Sequence, residues 1–425
     1  MPARLYFDNA ATSYPKPPCV IEAMTRYAGE LGVSARGAYA EVREVSRLVN
    51  VCRQRIATLI GARHPDAPSH VIFTLNTTDA MNLAIHGLIG HALRTRPASH
   101  PVHIITSELD HNSALRPLNV LVERYGPRVR QTRVPFDPAT GVLDPRAFER
   151  AITPDTVLVA TLHASNVTGM IQPAGEIGAI CRRHGVAFLL DAAQSLGHVP
   201  VDVEAMGVDL LAMPGHKGLL GPTGTGALYI RPGLERVMDT VREGGTGVRS
   251  ELEAMPDFLP DRFEPGSHNT IGILGLSEAV QWILDQGLDR LRAHELELIG
   301  VILAGLTGPD APPGLTLLGP SHPADAASRV GVFSFTCDHL DPATFGGMLE
   351  TRFGVLSRSG LHCAPAAHAT MGTGAAASSG SPRSAGGIGA TRISIGPFTT
   401  RDDVAAALAA IRTIATEAAQ LQLAK

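Results

Sequence analysis

Between residues 70 and 230 short apolar runs alternate with stretches of helical period, and no other feature limits the fold of this chain as tightly. The runs are HVIFTL (70–75), VHIITS (102–107), TVLVATL (156–162), VAFLLD (186–191), VDLLAM (208–213) and GALYI (226–230). Each is too short for a globular helix, and each reads as a buried strand. TDAMNLAIHGLIGHAL and AGEIGAICRRHG, between them, carry the spacing of amphipathic helices. Strands separated by helices need crossovers, and crossovers build a mostly parallel sheet covered on both faces, an α/β fold. Ligands of such sheets sit beyond the carboxyl ends of the strands. The polar residues that follow each run are therefore the ones to question.

Beyond this region, residues 264–306 carry two long helical patterns. RVGVFSFTC (329–337) and TRISIG (391–396) then read as strands, and RDDVAAALAAIRTIATEAAQLQLA as a final helix, together a smaller α+β domain. MGTGAAASSGSPRSAGGIGA (371–390) is too rich in Gly, Ser and Ala to pack a core. It is expected to be mobile and to act as a flexible lid.

Composition narrows the function classes. With 425 residues, 44% hydrophobic and 18% charged, the chain has length and apolar content for two domains of a soluble protein. A formal charge of −4 leaves no basic excess to neutralise phosphates, which argues against nucleic acid as a partner. Cys19, Cys52, Cys181, Cys337 and Cys363 are odd in number, widely spaced and without a CxxC pair. That excludes a disulfide framework and a zinc ribbon and points to a reducing compartment. MPARLYFDNAATSYPKPP lacks the apolar core of a signal peptide, and no run of 18 apolar residues follows. A cytoplasmic protein without a membrane partner is expected.

Lysine is almost absent. It occurs at positions 16, 217 and 425, while arginine supplies the other 33 of the 36 basic residues. Lys217 follows the fifth run, inside MPGHKGLLGPTGTGALYI (213–230). Arginine could replace it for any purpose needing only charge, but arginine cannot become a nucleophilic amine near neutral pH. A Walker loop fails here, because its glycines precede the lysine and Ser or Thr follows it; Gly218 follows Lys217.

The other runs end on polar residues too. Thr77 and Thr78 open a helix after the first, as a phosphate cradle or as an ordinary N-cap. His111 follows the second run, as a satisfied polar residue or as a ring that stacks on a planar ligand and moves a proton. Asn166 follows the third, free to donate to a ligand oxygen or to cap a turn. Asp191 ends FLLD, where leaving even a neutral polar group unpaired costs ~2–7 kcal/mol; it is a helix cap or it has a cationic partner. Gln194 lies three residues on. A phosphate cradle, a buried carboxylate, a stacking histidine and a near-unique amine together match what pyridoxal 5′-phosphate requires.

At this point the chain resembles the class V aminotransferase group of fold-type I pyridoxal-phosphate enzymes, and within it the cysteine desulfurase and selenocysteine lyase family. The blocks carrying the resemblance are YFDNAAT (6–12), NTTDAMN (76–82), ELDHNS (108–113), SNVTG (165–169), DAAQSLGHVPVDV (191–203), GHKGLLGPTGTGALY (215–229), EPGSHNT (264–270), RSGLHCAP (358–365) and TRISIGPFTT (391–400). The resemblance implies a large cofactor-binding domain over 17–272 and a small α+β domain from 1–16 and 273–425. It implies that Lys217 forms the Schiff base and shuttles protons, and that Asp191 pairs with the pyridinium nitrogen. Gln194 and Asn166 would meet the ring hydroxyl, and His111 would stack on the ring. Thr77, Thr78 and His216 would hold the phosphate, joined by Ser267 of a second subunit, which makes a homodimer the expected unit. Arg392 would clamp the substrate carboxylate, with Asn9 and Arg358 also at the substrate.

By the same resemblance Cys363 is the sulfur acceptor, and His362 and Arg358 are the local candidates for a positive environment favouring its thiolate. The alternatives are a small buried hydrophobe or a metal site from His362, Cys363 and His368, which lacks a fourth ligand. The implied reaction converts L-cysteine to L-alanine through a persulfide, with a sulfur-acceptor protein as a further partner. Selenocysteine lyase, another class V transaminase or epimerase, and a non-catalytic binding protein are the other readings. Two features depart from the family pattern: Pro214 stands where many relatives have a hydroxyl for the phosphate, and 371–390 lengthens the path from Cys363 to Arg392.

Overall fold

The computed structural model describes residues 4–35, 37–374 and 387–423. The stretch 375–386, at the centre of the expected lid, lies outside the described residues.

A seven-stranded sheet forms the centre of the larger part. Its strands are β1 (Val71–Thr74), β2 (Val102–Ser107), β3 (Val129–Val134), β4 (Thr156–Leu162), β5 (Ala187–Asp191), β6 (Leu210–Pro214) and β7 (Gly226–Ile230), in the order β1-β7-β6-β5-β4-β2-β3. Six of them match the apolar runs. The edge strand β3, VRQTRV, is the one the apolar pattern did not show, because an edge strand needs only its two end valines buried. The sheet is parallel except for β7, which runs antiparallel to both β1 and β6. The reason is local: only the loop 215–225 joins β6 to β7, with no helix to carry the chain back across the sheet.

Alternation along each strand sends side chains to opposite faces. Val71, Phe73, Phe188, Leu190, Leu211 and Met213 pack on one side, under α1 (Ala40–Leu59), α4 (Ala174–His184) and α5 (Thr270–Gln286). Ile72, Leu189, Leu210 and Ala212 pack on the other, under α2 (Thr77–Thr95) and α3 (Asn112–Tyr125). Both faces are therefore dry, and the strand ends are the places left for polar groups.

A second, antiparallel sheet holds β8 (Leu315–Leu317), β9 (Val332–Cys337), β10 (Arg358–Gly360) and β11 (Ala390–Ser394), ordered β8-β9-β11-β10. Phe333, Phe335 and Ile393 pack there against α6 (Leu288–Thr307) and α7 (Arg401–Leu423). By length and composition α7 is apolar enough to cross a membrane. Its Val404, Ile411 and Ile414 are buried in this core, which makes it a core helix. The N-terminal segment joins the same unit: Leu5–Tyr6 pairs with Val355–Leu356, and Asp8 bridges to Ser394.

Candidate functional site

Because β1, β2, β4, β5 and β6 run the same way, the residues that follow them converge at one edge of the sheet. There they enclose a cavity of about 240 Å³. Thr77 and Thr78 from the start of α2, His111 and Asn166 form part of its wall, and Asp191, Gln194, His216 and Lys217 line it too. A larger cavity, about 700 Å³, lies at the opposite ends of the strands beside Thr156, Ala187 and Asp209 and holds none of these groups.

The turn carrying Lys217 explains its glycines. A Cβ on Gly218 would stand 2.2 Å from the Leu196 carbonyl oxygen, and one on Gly215 would stand 2.1 Å from Thr225 Oγ1. Both positions exclude any side chain, and the lysine is held where two backbone segments touch. Lys217 keeps some surface toward the cavity, but its amine lies deep in the protein. Burial lowers its pKa from 10.5 to about 8, with the Asp191 carboxylate pulling up and Arg392 and Arg358 pushing down. The second lysine of the described chain is close by: Lys16 Nζ donates to the His216 carbonyl at 3.0 Å and to Ser13 Oγ at 2.7 Å.

Asp191 is buried, and burial raises its pKa against the opposing Ala193 N–H, Lys217 and Ser113. Its Oδ1 accepts the Ala193 N–H at 2.9 Å, and Ser113 Oγ donates to Oδ2 at 3.4 Å. Ser113 also ties down His111, whose Nδ1 accepts the Ser113 N–H at 3.0 Å. That bond puts the ring proton on Nε2. Burial, with Lys217 and the surrounding arginines, pushes the His111 pKa down to about 3. The ring is therefore neutral at neutral pH and carries its N–H on Nε2. Ser113 lay unnoticed inside ELDHNS; nothing marks a helix-start serine as the link between two functional groups.

The N-cap of α2 is Asn76, whose Oδ1 accepts the Asp79 N–H at 3.0 Å. The capping alternative for the threonines therefore passes to Asn76, and both threonines line the cavity. Thr77 Oγ1 and His216 Nδ1 are buried and without a hydrogen-bond partner among the described residues. Gln194 Nε2 donates to the Ala10 carbonyl at 2.9 Å.

The remaining candidates sit on the smaller sheet or outside the cavity. Arg392, on β11, is buried; Nη2 pairs with Asp8 Oδ1 at 3.0 Å and Nη1 donates to the Asn166 carbonyl at 3.2 Å. Asp8 is a partner the sequence did not flag. Asn166 Nδ2 donates to the His362 carbonyl at 2.6 Å, so one asparagine touches both Arg392 and the cysteine loop. Asn9 is committed to that N-terminal segment: its amide donates to the Ser394 carbonyl and its oxygen accepts the Tyr14 N–H, both at 3.3 Å. Ser267 is exposed and does not line the cavity. Its loop is rooted by Glu264, which makes a buried bidentate pair with Arg53 at 2.7 and 2.6 Å.

Cys363 is exposed, and Arg358 Nη2 donates to its Sγ at 3.5 Å. The contrast with the other thiols is one of exposure, since Cys52, Cys181 and Cys337 are buried and Cys19 is partly so. That removes the reading of Cys363 as a buried hydrophobe. The expectation for His362 needs correction. It is buried and its pKa is pushed down to about 2 by burial and by Arg392, so it is neutral and supplies no charge. Arg358 is the cation at the sulfur. His362 and His368 turn ring nitrogens toward each other at 3.1 Å.

Known proteins resemble this chain over most of its length. The family model for Aminotransferase class-V matches residues 5–407. A probable cysteine desulfurase of Methanothermobacter thermautotrophicus is 34% identical over 364 residues, covering 85% of this chain and 84% of that protein. A cysteine desulfurase of Yersinia pestis is 32% identical over 365 residues, covering 85% and 84%. A solved structure of the cysteine desulfurase from Thermococcus onnurineus NA1 superposes with a TM-score of 0.83 at 29% identity, covering 97% of this chain and 95% of that one.

Proposed function

The chain belongs to the class-V aminotransferase family, and we propose that it is a pyridoxal-phosphate-dependent cysteine desulfurase that moves sulfur from L-cysteine onto Cys363. The observation that carries this reading is the exposed Cys363 thiol beside Arg358, joined through Asn166 to the cavity that holds Lys217.

The residues present fit the cofactor. Buried polar atoms need partners, and a phosphate beside the start of α2 would supply them to Thr77 Oγ1 and His216 Nδ1, with the helix N–H groups behind. Pro214 offers no hydroxyl, so the anchor rests on Thr77, Thr78, His216 and, in a homodimer, Ser267 of the second copy. Asp191 is a buried acceptor against which a protonated pyridine nitrogen would sit. Gln194 and Asn166 are amides within reach of the same cavity, and His111 offers a neutral ring face. Bound there, pyridoxal phosphate would supply an aldehyde for the Lys217 amine and an electron-poor ring that accepts electrons when a bond at the substrate α-carbon breaks.

Arg392 holds the substrate carboxylate with its planar fork, sharing that charge with Asp8. Lys217 Nζ, about one part in ten neutral at pH 7 for a pKa of about 8, takes the α-proton. The Cys363 thiolate then attacks the substrate sulfur. An S–S bond forms, the Cβ–S bond breaks with its electron pair left on carbon, and protonation there, with return of the proton held by Lys217 to the α-carbon, completes L-alanine. Net, L-cysteine and one thiol give L-alanine and a persulfide, with no outside oxidant or reductant. An acceptor protein would then remove the sulfur.

The test is incubation of the holoenzyme with L-cysteine, assaying alanine and the mass of alkylated Cys363. Wild type yields both alanine and a persulfide; Cys363→Ala retains the cofactor spectrum and yields neither. Desulfuration by Cys363→Ala at the wild-type rate sinks the reading.

A further inference from the structure

Cys363 stands in a backbone conformation that needs holding. His362 and Cys363 are consecutive non-glycine residues in the left-handed region, with φ of 48° and 58°. Residues kept in such sparsely populated conformations cost of order 1–3 kcal/mol each and persist only where their surroundings over-determine them. On the cavity side two contacts do so. Asn166 Nδ2 donates to the His362 carbonyl at 2.6 Å, and the Asn112 N–H donates to the Cys363 carbonyl at 2.9 Å.

The opposite side is held by side chains that the reaction does not use. His362 Nδ1 faces His368 Nε2 at 3.1 Å, the two rings tilted with centroids 5.2 Å apart. His368 Nδ1 faces Thr373 Oγ1 at 2.8 Å. Thr373 is itself fixed, its N–H donating to the His368 carbonyl and its carbonyl accepting the Gly389 N–H, both at 2.8 Å. All three side chains are buried. Burial keeps both rings neutral at physiological pH, with pKa values pushed down to about 2 for His362 and about 4 for His368. The row thus acts through shape and hydrogen bonds and brings no charge to the sulfur.

We propose that His368, backed by Thr373, is a positioning residue for Cys363: it grips the His362 ring and so holds the left-handed turn that aims the thiol. This rests on Cys363 being the sulfur acceptor. Misplacing a reacting group by about 1 Å can cost on the order of a hundredfold, so loss of the grip falls on sulfur transfer and spares the events at Lys217.

The experiment is single-turnover reaction of the holoenzyme with L-cysteine. The rate of the cofactor's spectral change is followed beside the rate of persulfide formation on Cys363, read by mass. In His368→Leu, persulfide formation falls roughly a hundredfold, and the spectral change stays within about twofold of wild type. His368→Gln, whose amide takes the place of Nε2, recovers to within about fivefold. Thr373→Val leaves both rings in place and falls several-fold, which keeps the test valid should His368→Leu not fold. Persulfide formation at the wild-type rate in either disruptive variant overturns the proposal. So does a loss shared equally by both rates, or one that tracks the thermal midpoint across His368→Leu and His368→Gln alike. Cys363→Ala run in parallel separates the two claims: if it still desulfurates, the function reading fails, whereas the positioning role fails only on the histidine variants.

Discussion

Lys217 is expected to react as an amine with a pKa of about 8, and this can be measured on protein stripped of cofactor. An unperturbed lysine at 10.5 is about one part in 3,000 neutral at pH 7, against about one in ten for a pKa of about 8, a gain of about 300-fold. The drop corresponds to roughly 3 kcal/mol acting against the charged form. The cause is desolvation, and Asp191 opposes it. Stripped protein mixed with pyridoxal phosphate at a series of pH values and trapped with borohydride gives the rate of adduct formation on Lys217. That rate rises with pH and levels off above about 8. Asp191→Asn removes the charge that holds the amine up, so its midpoint falls below that of wild type. A linkage effect follows with a fixed sign. Because the folded pKa is depressed, the penalty is full below about 8 and fades as pH rises toward 10.5, the unfolded value. Lys217→Met is therefore more stable than wild type at pH 7, by up to roughly 3 kcal/mol, and the advantage disappears above pH 10.5. A trapping rate that keeps climbing tenfold per pH unit through about pH 10, or an Asp191→Asn midpoint that moves upward, refutes the reasoning.

Two further outcomes are expected. Gly218→Ala forces a Cβ to 2.2 Å from the Leu196 carbonyl oxygen, so it loses at least about 2 kcal/mol, visible in the denaturant midpoint and as weaker cofactor retention. Arg358→Met removes the cation beside Cys363 Sγ; iodoacetamide alkylation of that thiol at pH 7 slows by roughly three- to tenfold, and unchanged alkylation shows that the guanidinium does not act on the sulfur.

How legible the site was in the sequence depended on how local its physics is. Asp191 could be read as functional because a carboxylate that ends the apolar run FLLD is buried even when a neighbouring N–H engages it, as that of Ala193 does. Lys217 stood out because so arginine-rich a chain kept it. Thr77, Thr78, His111 and Asn166 could be placed because the end of a buried strand is a structural address that apolar runs reveal. Charge state and long-range pairing were hidden. His362 beside Cys363 reads as a cation until its burial is known, and Asp8 lies 384 residues from its partner Arg392. The antiparallel β7 was missed for a similar reason: an apolar pentapeptide gives its strand character but not its direction, which the helix-free loop 215–225 decides.

The smaller sheet also carries the charges that bear on the proposed sulfur chemistry. Arg358 and Arg392 lie directly opposite each other on β10 and β11, and like charges facing across paired strands repel. Burial lowers the Arg392 pKa, and the repulsion from Arg358 adds to it in a small measure against the pull of Asp8. Asp8 offsets one of the two guanidiniums, which leaves Arg358 turned toward the cysteine sulfur. Two anions relieve this arrangement in the proposed reaction: the Cys363 thiolate at Arg358 and the substrate carboxylate at Arg392.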